Sequence, residues 1–140
     1  MVIVLDTSVF VSALLSPDGA SREVLRRCLL KHHQPLFGAA LLAEYEDLLA
    51  RRKLFAQCPI TEEERQELFE ALISVSGWKN IFYGWRPNLR DEADNHLIEL
   101  AVAGSAEAII THNIRDFTGM ELQFPDLKII TPAQLIQRSS

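Results

Sequence analysis

The chain opens on an unbroken apolar run, Val2-Ile3-Val4-Leu5, that stops at Asp6-Thr7-Ser8. Four consecutive apolar positions, three of them β-branched, predict a strand buried on both faces. That pattern belongs to a central strand of a parallel sheet rather than to a half-wetted antiparallel one. Ala108-Ile109-Ile110-Thr111 and Leu127-Lys128-Ile129-Ile130 read the same way, while Leu36-Phe37-Gly38 and Trp78 to Tyr83 are shorter strand candidates. Between these runs the apolar positions recur at helical spacing. Val9-Phe10-Val11 and Ala13-Leu14-Leu15 predict a short apolar helix, broken by the turn cluster Ser16-Pro17-Asp18-Gly19. Ser21 is expected to cap a helix running to about His33, with Val24, Leu25, Cys28 and Leu29 as its stripe, before Gln34-Pro35 stops it. A further helix covers roughly Ala39 to Arg52, its stripe on Leu41, Leu42, Tyr45, Leu48 and Leu49. Thr61 with Glu64 forms a capping box that opens a helix to about Val75, ended by Ser76-Gly77. Gly84 to Arg90 reads as a loop and Asp91 starts a helix that ends near Gly104. Thr131-Pro132 caps a last short helix, since proline suits the first helical turn.

Strands that alternate with helices along the whole length predict an α/β fold, a three-layer α/β/α sandwich with a central parallel sheet. The 140 residues contain no internal repeat, low-complexity segment or linker, so one domain over 1–140 is expected. A hydrophobic share of 48% against 24% charged is that of a soluble globular protein, and no apolar run approaches the roughly 20 residues of a membrane span. The N-terminus enters a strand without a basic region or small-residue cleavage site, so a signal peptide is not expected. Cys28 and Cys58 lack CxxC spacing and are expected as free thiols in a reducing cytoplasm. The net charge of −5 argues against a protein that grips nucleic acid through broad positive potential. A polyanionic substrate would have to meet a local basic patch or bound cations.

The acids add chemistry to this frame. Ligands of open α/β sheets sit beyond the carboxyl ends of the strands, and Asp6 ends the first strand. On the helix from Asp91, at about 100° per residue, Leu97, Ala101, Ile98, Ala93 and Leu100 share one arc with Asp94 inside it, while Glu92, Asn95 and Glu99 face away. An acid in a buried stripe is costly unless compensated. The competing reading makes Asp91 the N-cap and Asp94 a first-turn acid serving backbone donors. Glu44 and Glu46 flank the stripe of their helix symmetrically, and periodicity does not choose between them; both also fit solvated edges. Thr111 and Asn113 leave a buried strand as Asp6 and Ser8 do, and Asp116 follows, either joining them or capping a turn. Carboxylates converging on one crevice repel and would take up protons unless a divalent cation relieved them, and all-oxygen ligation suits Mg²⁺ or Mn²⁺. Such sites cleave phosphodiesters.

Leu5-Asp6-Thr7-Ser8, Leu42-Ala43-Glu44-Tyr45, Asp91-Glu92-Ala93-Asp94-Asn95 leading into Leu97-Ile98-Glu99-Leu100-Ala101, and Thr111-His112-Asn113-Ile114-Arg115-Asp116-Phe117 together resemble the PIN domain. The nearest flavour is that of the prokaryotic PIN proteins similar to VapC, the toxins of toxin–antitoxin systems, and the resemblance spans essentially the whole chain. It implies a metal-dependent ribonuclease in which Asp6, Glu44, Asp94 and Asp116 form an acidic quartet holding Mg²⁺ or Mn²⁺. The resemblance favours Glu44 over Glu46. Ser8, Thr111 and Asn113 are implied as polar groups that orient ligands or water, and Asp91 as an N-cap first and a supporting acid second. Asn95 stands where some relatives carry another aspartate, which leaves one or two metals open. The implied partners are single-stranded or structured RNA, a small antitoxin that blocks the crevice and a second copy of the chain, with no membrane. In-line attack by water would leave a 3′-hydroxyl and a 5′-phosphate.

Substrate contacts are less legible. Arg22, Arg26, Arg27 and Lys31 recur at helical spacing, and Arg51-Arg52-Lys53 cluster, but both patterns also describe ordinary solvated faces. Arg86, Arg90 and Arg115 fall near the strand ends and are better phosphate candidates. Trp78, Tyr83 and Trp85 suit base stacking or, equally, core or dimer packing. His32, His33, His96 and His112 show no ligand spacing and receive no catalytic role, although His112 adjoins the site in sequence. Two other classes compete. A phosphotransfer site of the haloacid-dehalogenase type needs a second aspartate where Ser8 stands, and a receiver needs a lysine where Thr111 stands. A catalytically inactive PIN-like module that binds RNA or protein would be marked by an incomplete quartet, whereas all four positions here are acidic.

Overall fold

The structure, a computed structural model, describes residues 1–80, 95–117 and 124–139. Strands β1 (Val2–Leu5), β2 (Gln34–Phe37), β3 (Gly77–Trp78), β4 (Ala108–Ile110) and β5 (Lys128–Ile130) form one parallel sheet in the order β3-β2-β1-β4-β5. The most apolar run of the sequence therefore lies in the middle, and Ile3, Val4, Ile109 and Ile110 are fully buried. Helices α1 (Thr7–Leu15), α2 (Ala20–Leu29), α3 (Ala39–Leu49), α4 (Glu62–Ser74), α5 (Asn95–Ala103) and α6 (Pro132–Ser139) complete a three-layer α/β/α sandwich. α2 packs against α1, α4 and α6, while α5 lies on β1, β2 and β4. The right-handed crossover rule accounts for this: the sheet grows from β1 to β3 in one direction and then returns past β1 to β4, which sends α5 to the opposite face.

Most predicted elements are present, with informative shifts. Thr61 and Glu64 do form the reciprocal capping box of α4, with bonds of 2.9 and 3.1 Å. Thr131 does the same for α6 together with Gln134. Ser21, by contrast, is not the cap of α2: that place is held by Gly19, and the Ser21 hydroxyl is buried against the ring of His112. α2 also ends at Leu29 rather than His33, because Lys31 turns into the left-handed region at φ 67°. Pro35 lies inside β2 rather than before it. Gln34 sends its N–H to the Met1 carbonyl just before β1 at 2.8 Å, so a donor at position 35 would face the other side, where β3 begins only opposite Leu36. The missing proline donor thus costs no ladder bond. α3 stops at Leu49, and Arg52–Phe55 forms a 3-10 turn.

Cys28 and Cys58 are free, and burial pushes the Cys28 thiol up to about 12. Among the described residues no helix is long and apolar enough to cross a membrane. Of the strand expected from Trp78 to Tyr83 only Trp78 lies in β3, and Tyr83, Trp85, Arg86, Arg90, Asp91 and Asp94, with the loop expected from Gly84 to Arg90, lie outside the described residues.

Candidate functional site

Asp6 ends β1, and α1 begins at the very next residue. Its backbone, at φ −63° and ψ 148°, is that of an N-cap, yet its side chain makes no capping bond. An aspartate in that place normally accepts from the first-turn N–H groups, for about 1 kcal/mol of helix stability. Here the carboxylate turns to hydroxyls instead: Thr111 Oγ1 donates at 2.7 Å and Ser8 Oγ at 3.2 Å, with Thr7 Oγ1 3.3 Å away. It is only 5% exposed, and among the described residues its hydrogen-bond partners include no lysine or arginine. Pairing of β4 beside β1 explains how Thr111 arrives there, 105 residues away in sequence. The Asp6 N–H donates to Ile110 at 2.9 Å, which sets the next residue of the strand end against the carboxylate.

The position of Glu44 follows from its neighbour. Tyr45 is 1% exposed and drives inward from α3, packing on Phe37, Phe10 and Phe69 with ring centroids 4.8, 5.3 and 5.8 Å away. Its hydroxyl donates to the Leu5 carbonyl at 2.9 Å, and burial raises its pKa well above the ordinary value. With Tyr45 anchored one residue before Asp6, Glu44 is delivered to Thr7, one residue after it. The single Thr7 hydroxyl proton is shared: Oγ1 is 2.9 Å from Glu44 Oε1, the closer acceptor, and 3.3 Å from Asp6 Oδ1, so it stands between the two carboxylates. Glu46 is exposed on the far edge of α3 and lines a separate groove with Arg65 and Phe69, so packing decides what periodicity left open.

The second Glu44 oxygen meets His96, in the first turn of α5, with Nε2 2.6 Å from Oε2. A carboxylate only accepts, so Nε2–H donates. This bond, helped by Thr7 and opposed by burial, holds the Glu44 carboxyl below its usual pKa and keeps it ionised. His96 is the functional candidate that sequence reasoning missed. On a helical wheel it falls at the margin of the apolar stripe, which signals partial burial but no partner.

The loop after β4 is tied down in the same region. Asn113 N–H donates to Thr111 Oγ1 at 2.9 Å, His112 N–H reaches Ser8 Oγ at 3.4 Å, and the His112 ring meets Ser21 at 2.9 Å. Asp116 is half-buried on the 3-10 turn Ile114–Phe117 that follows, which buried Phe117 pins to the core, and Arg115 is exposed on that turn. Among the described residues no three His, Cys, Asp or Glu side chains gather as a metal-binding group; Asp94, one acid of the expected quartet, is not among them. Asp6, Glu44, Ser8 and Thr111 are brought together, and Asp94 and Asp91 fall outside the described residues. The arginine ridge on α2 is largely occupied: Arg26 and Arg27 bond Glu23, and Arg22 Nε donates to the Ala13 carbonyl at 2.7 Å. Arg51 likewise pairs with Asp47.

Two carboxylates bridged by one hydroxyl, with oxygen donors around them, have the donor chemistry that a hard divalent cation requires. The profile of the PIN domain matches residues 2–115. The fold is similar to a solved structure of VapBC2 from Rickettsia felis bound to a DNA fragment from their promoter. That likeness has a TM-score of 0.59 at 16% identity and covers 94% of this chain and 98% of that one. The comparison with curated proteins gave no match. With its profile matched across most of the sequence, the chain belongs to the PIN-domain family.

Proposed function

We propose that this chain is a metal-dependent endoribonuclease, the toxin of a toxin–antitoxin pair, acting in the cytoplasm. The observation that carries this reading is Asp6. A buried carboxylate gives up helix capping, is held by the Thr111 and Ser8 hydroxyls, and has Thr7 standing between it and an ionised glutamate. Burying that much negative charge without a cation is costly. Mg²⁺, or Mn²⁺, answers it.

In this reading Asp6, Glu44, Asp94 and Asp116 hold the metal, which would lower the pKa of an attacking water and balance charge on the phosphate. The remaining work falls to the chain's own side chains. Thr111 and Ser8 fix the Asp6 carboxylate, Asn113 orients ligands or water beside them, Glu44 orients the attacking water, and Arg115, Arg86 and Arg90 contact the scissile phosphate. Membership of the PIN-domain family supports a nuclease, and the fold likeness to VapBC2 supports a protein partner, an antitoxin whose segment occupies the crevice. A homodimer is part of the same proposal.

The test is cleavage of a labelled single-stranded RNA by wild type and Asp94→Asn with Mg²⁺, Mn²⁺ or EDTA. The substitution keeps size and hydrogen bonding while removing charge. Metal-dependent cutting with 5′-phosphate ends, reduced by about 100-fold or more in the variant, is expected. Cutting that survives EDTA, or 2′,3′-cyclic phosphate ends, would refute it; RNA binding without turnover would favour an inactive binding module.

A further inference from the structure

We infer that His96 is a positioning residue of the acidic crevice: it locks the Glu44 carboxylate in the orientation that receives the metal. This rests on the metal-site reading above and deepens it.

Three observations converge on the role. Both Glu44 oxygens are taken from opposite sides, Oε1 by Thr7 at 2.9 Å and Oε2 by His96 at 2.6 Å, so the carboxylate cannot rotate without breaking a bond. The two donors come from different elements, α1 at the end of β1 and α5 on the other face of the sheet. His96 is in the first turn of α5, two residues after Asp94, so the bond also ties the helix carrying Glu44 to the one that Asp94 precedes. Lastly, His96 Nδ1 is buried with no hydrogen-bond partner among the described residues. Among the described residues, then, the one polar contact of the ring is Glu44.

A carboxylate held by two fixed donors still has a lone pair free on each oxygen. Holding it in place before the metal arrives removes the ordering cost from binding. Hydrogen-bond partners of metal ligands typically contribute 10- to 100-fold in affinity for this reason. His96 touches no reacting atom in this account; it acts through Glu44.

Calorimetric titration of Mn²⁺ alone into wild type, His96→Leu and His96→Gln separates the possibilities, with folding checked by circular dichroism and thermal melts. Leucine fills the space without a donor, whereas glutamine offers an amide N–H at similar reach. The leucine variant should bind Mn²⁺ about tenfold or more weakly, and glutamine should recover most of the loss. In a Glu44→Gln background the His96→Leu change should add nothing, because its effect passes through that carboxylate. Should the leucine variant not fold, His96→Asn, whose amide stops short of Glu44, serves as the loss variant. An unchanged Mn²⁺ affinity in a folded loss variant, or full additivity with Glu44→Gln, would overturn the inference while leaving the metal site intact. A wild type that takes up no Mn²⁺ would overturn the site reading and this inference together.

Discussion

Asp6 and Tyr45 together show how single side chains build this site. Asp6 leaves a capping position unused, and Tyr45 uses its phenol to tie α3 to the last carbonyl before that aspartate. Replacing Tyr45 with Phe keeps the aromatic packing and removes one buried bond, leaving the Leu5 carbonyl without its donor. Stability should fall by between about 1 and 3 kcal/mol in denaturant unfolding, and Mn²⁺ affinity should fall with it as Glu44 loosens. A variant as stable as wild type would mean that the phenol does not hold α3. Asp6 was legible because an acid ending a buried strand is conspicuous. Glu44 was not separable from Glu46 by periodicity, since both flank the same stripe; the inward ring of Tyr45 separates them in three dimensions. His96 left no usable trace, because its partner lies 52 residues away on another helix.

Among the elements, local chemistry was a good guide where it stayed local. Thr61 and Glu64 are three residues apart and satisfy each other without help from the rest of the fold. Ser21 has the same look of a cap, but its hydroxyl is claimed by His112 across the sheet edge, and a glycine takes the cap instead. The two serve as a matched pair. Thr61→Ala should cost about 1 kcal/mol through fraying of α4. Ser21→Ala should leave α2 intact, with unchanged amide-exchange protection in its first turn, while protection rises nowhere and falls in the loop from His112 to Asp116. Loss of protection at the start of α2 would restore Ser21 as its cap. The ends of α2 and α3 were over-extended because neither Leu30-Lys31-His32-His33 nor Ala50-Arg51-Arg52 contains a glycine or proline to mark a stop, while the backbone turns at Lys31, φ 67°, and after Leu49.

For the molecule as a whole, alternation of strands and helices was enough to fix the α/β class, because each segment announces its own period. The order β3-β2-β1-β4-β5 was not readable, since nothing in a strand's own pattern names its neighbours. That order is what makes the site: β4 beside β1 brings Thr111 to Asp6, and the return crossover brings α5 and His96 to Glu44. It also gathers acids at one edge of a protein that already carries a net charge of −5, so a polyanion can approach only if cations intervene. The proposed function therefore requires a divalent cation held between Asp6 and Glu44. Anomalous scattering from crystals soaked in Mn²⁺ tests it most directly. The account predicts a peak within about 2.2 Å of an Asp6 carboxylate oxygen, with Glu44 bound to it directly or through water, and no such peak in crystals of Asp6→Asn. Strong Mn²⁺ density elsewhere with none at Asp6, or an Asp6→Asn crystal that keeps the peak, would contradict it.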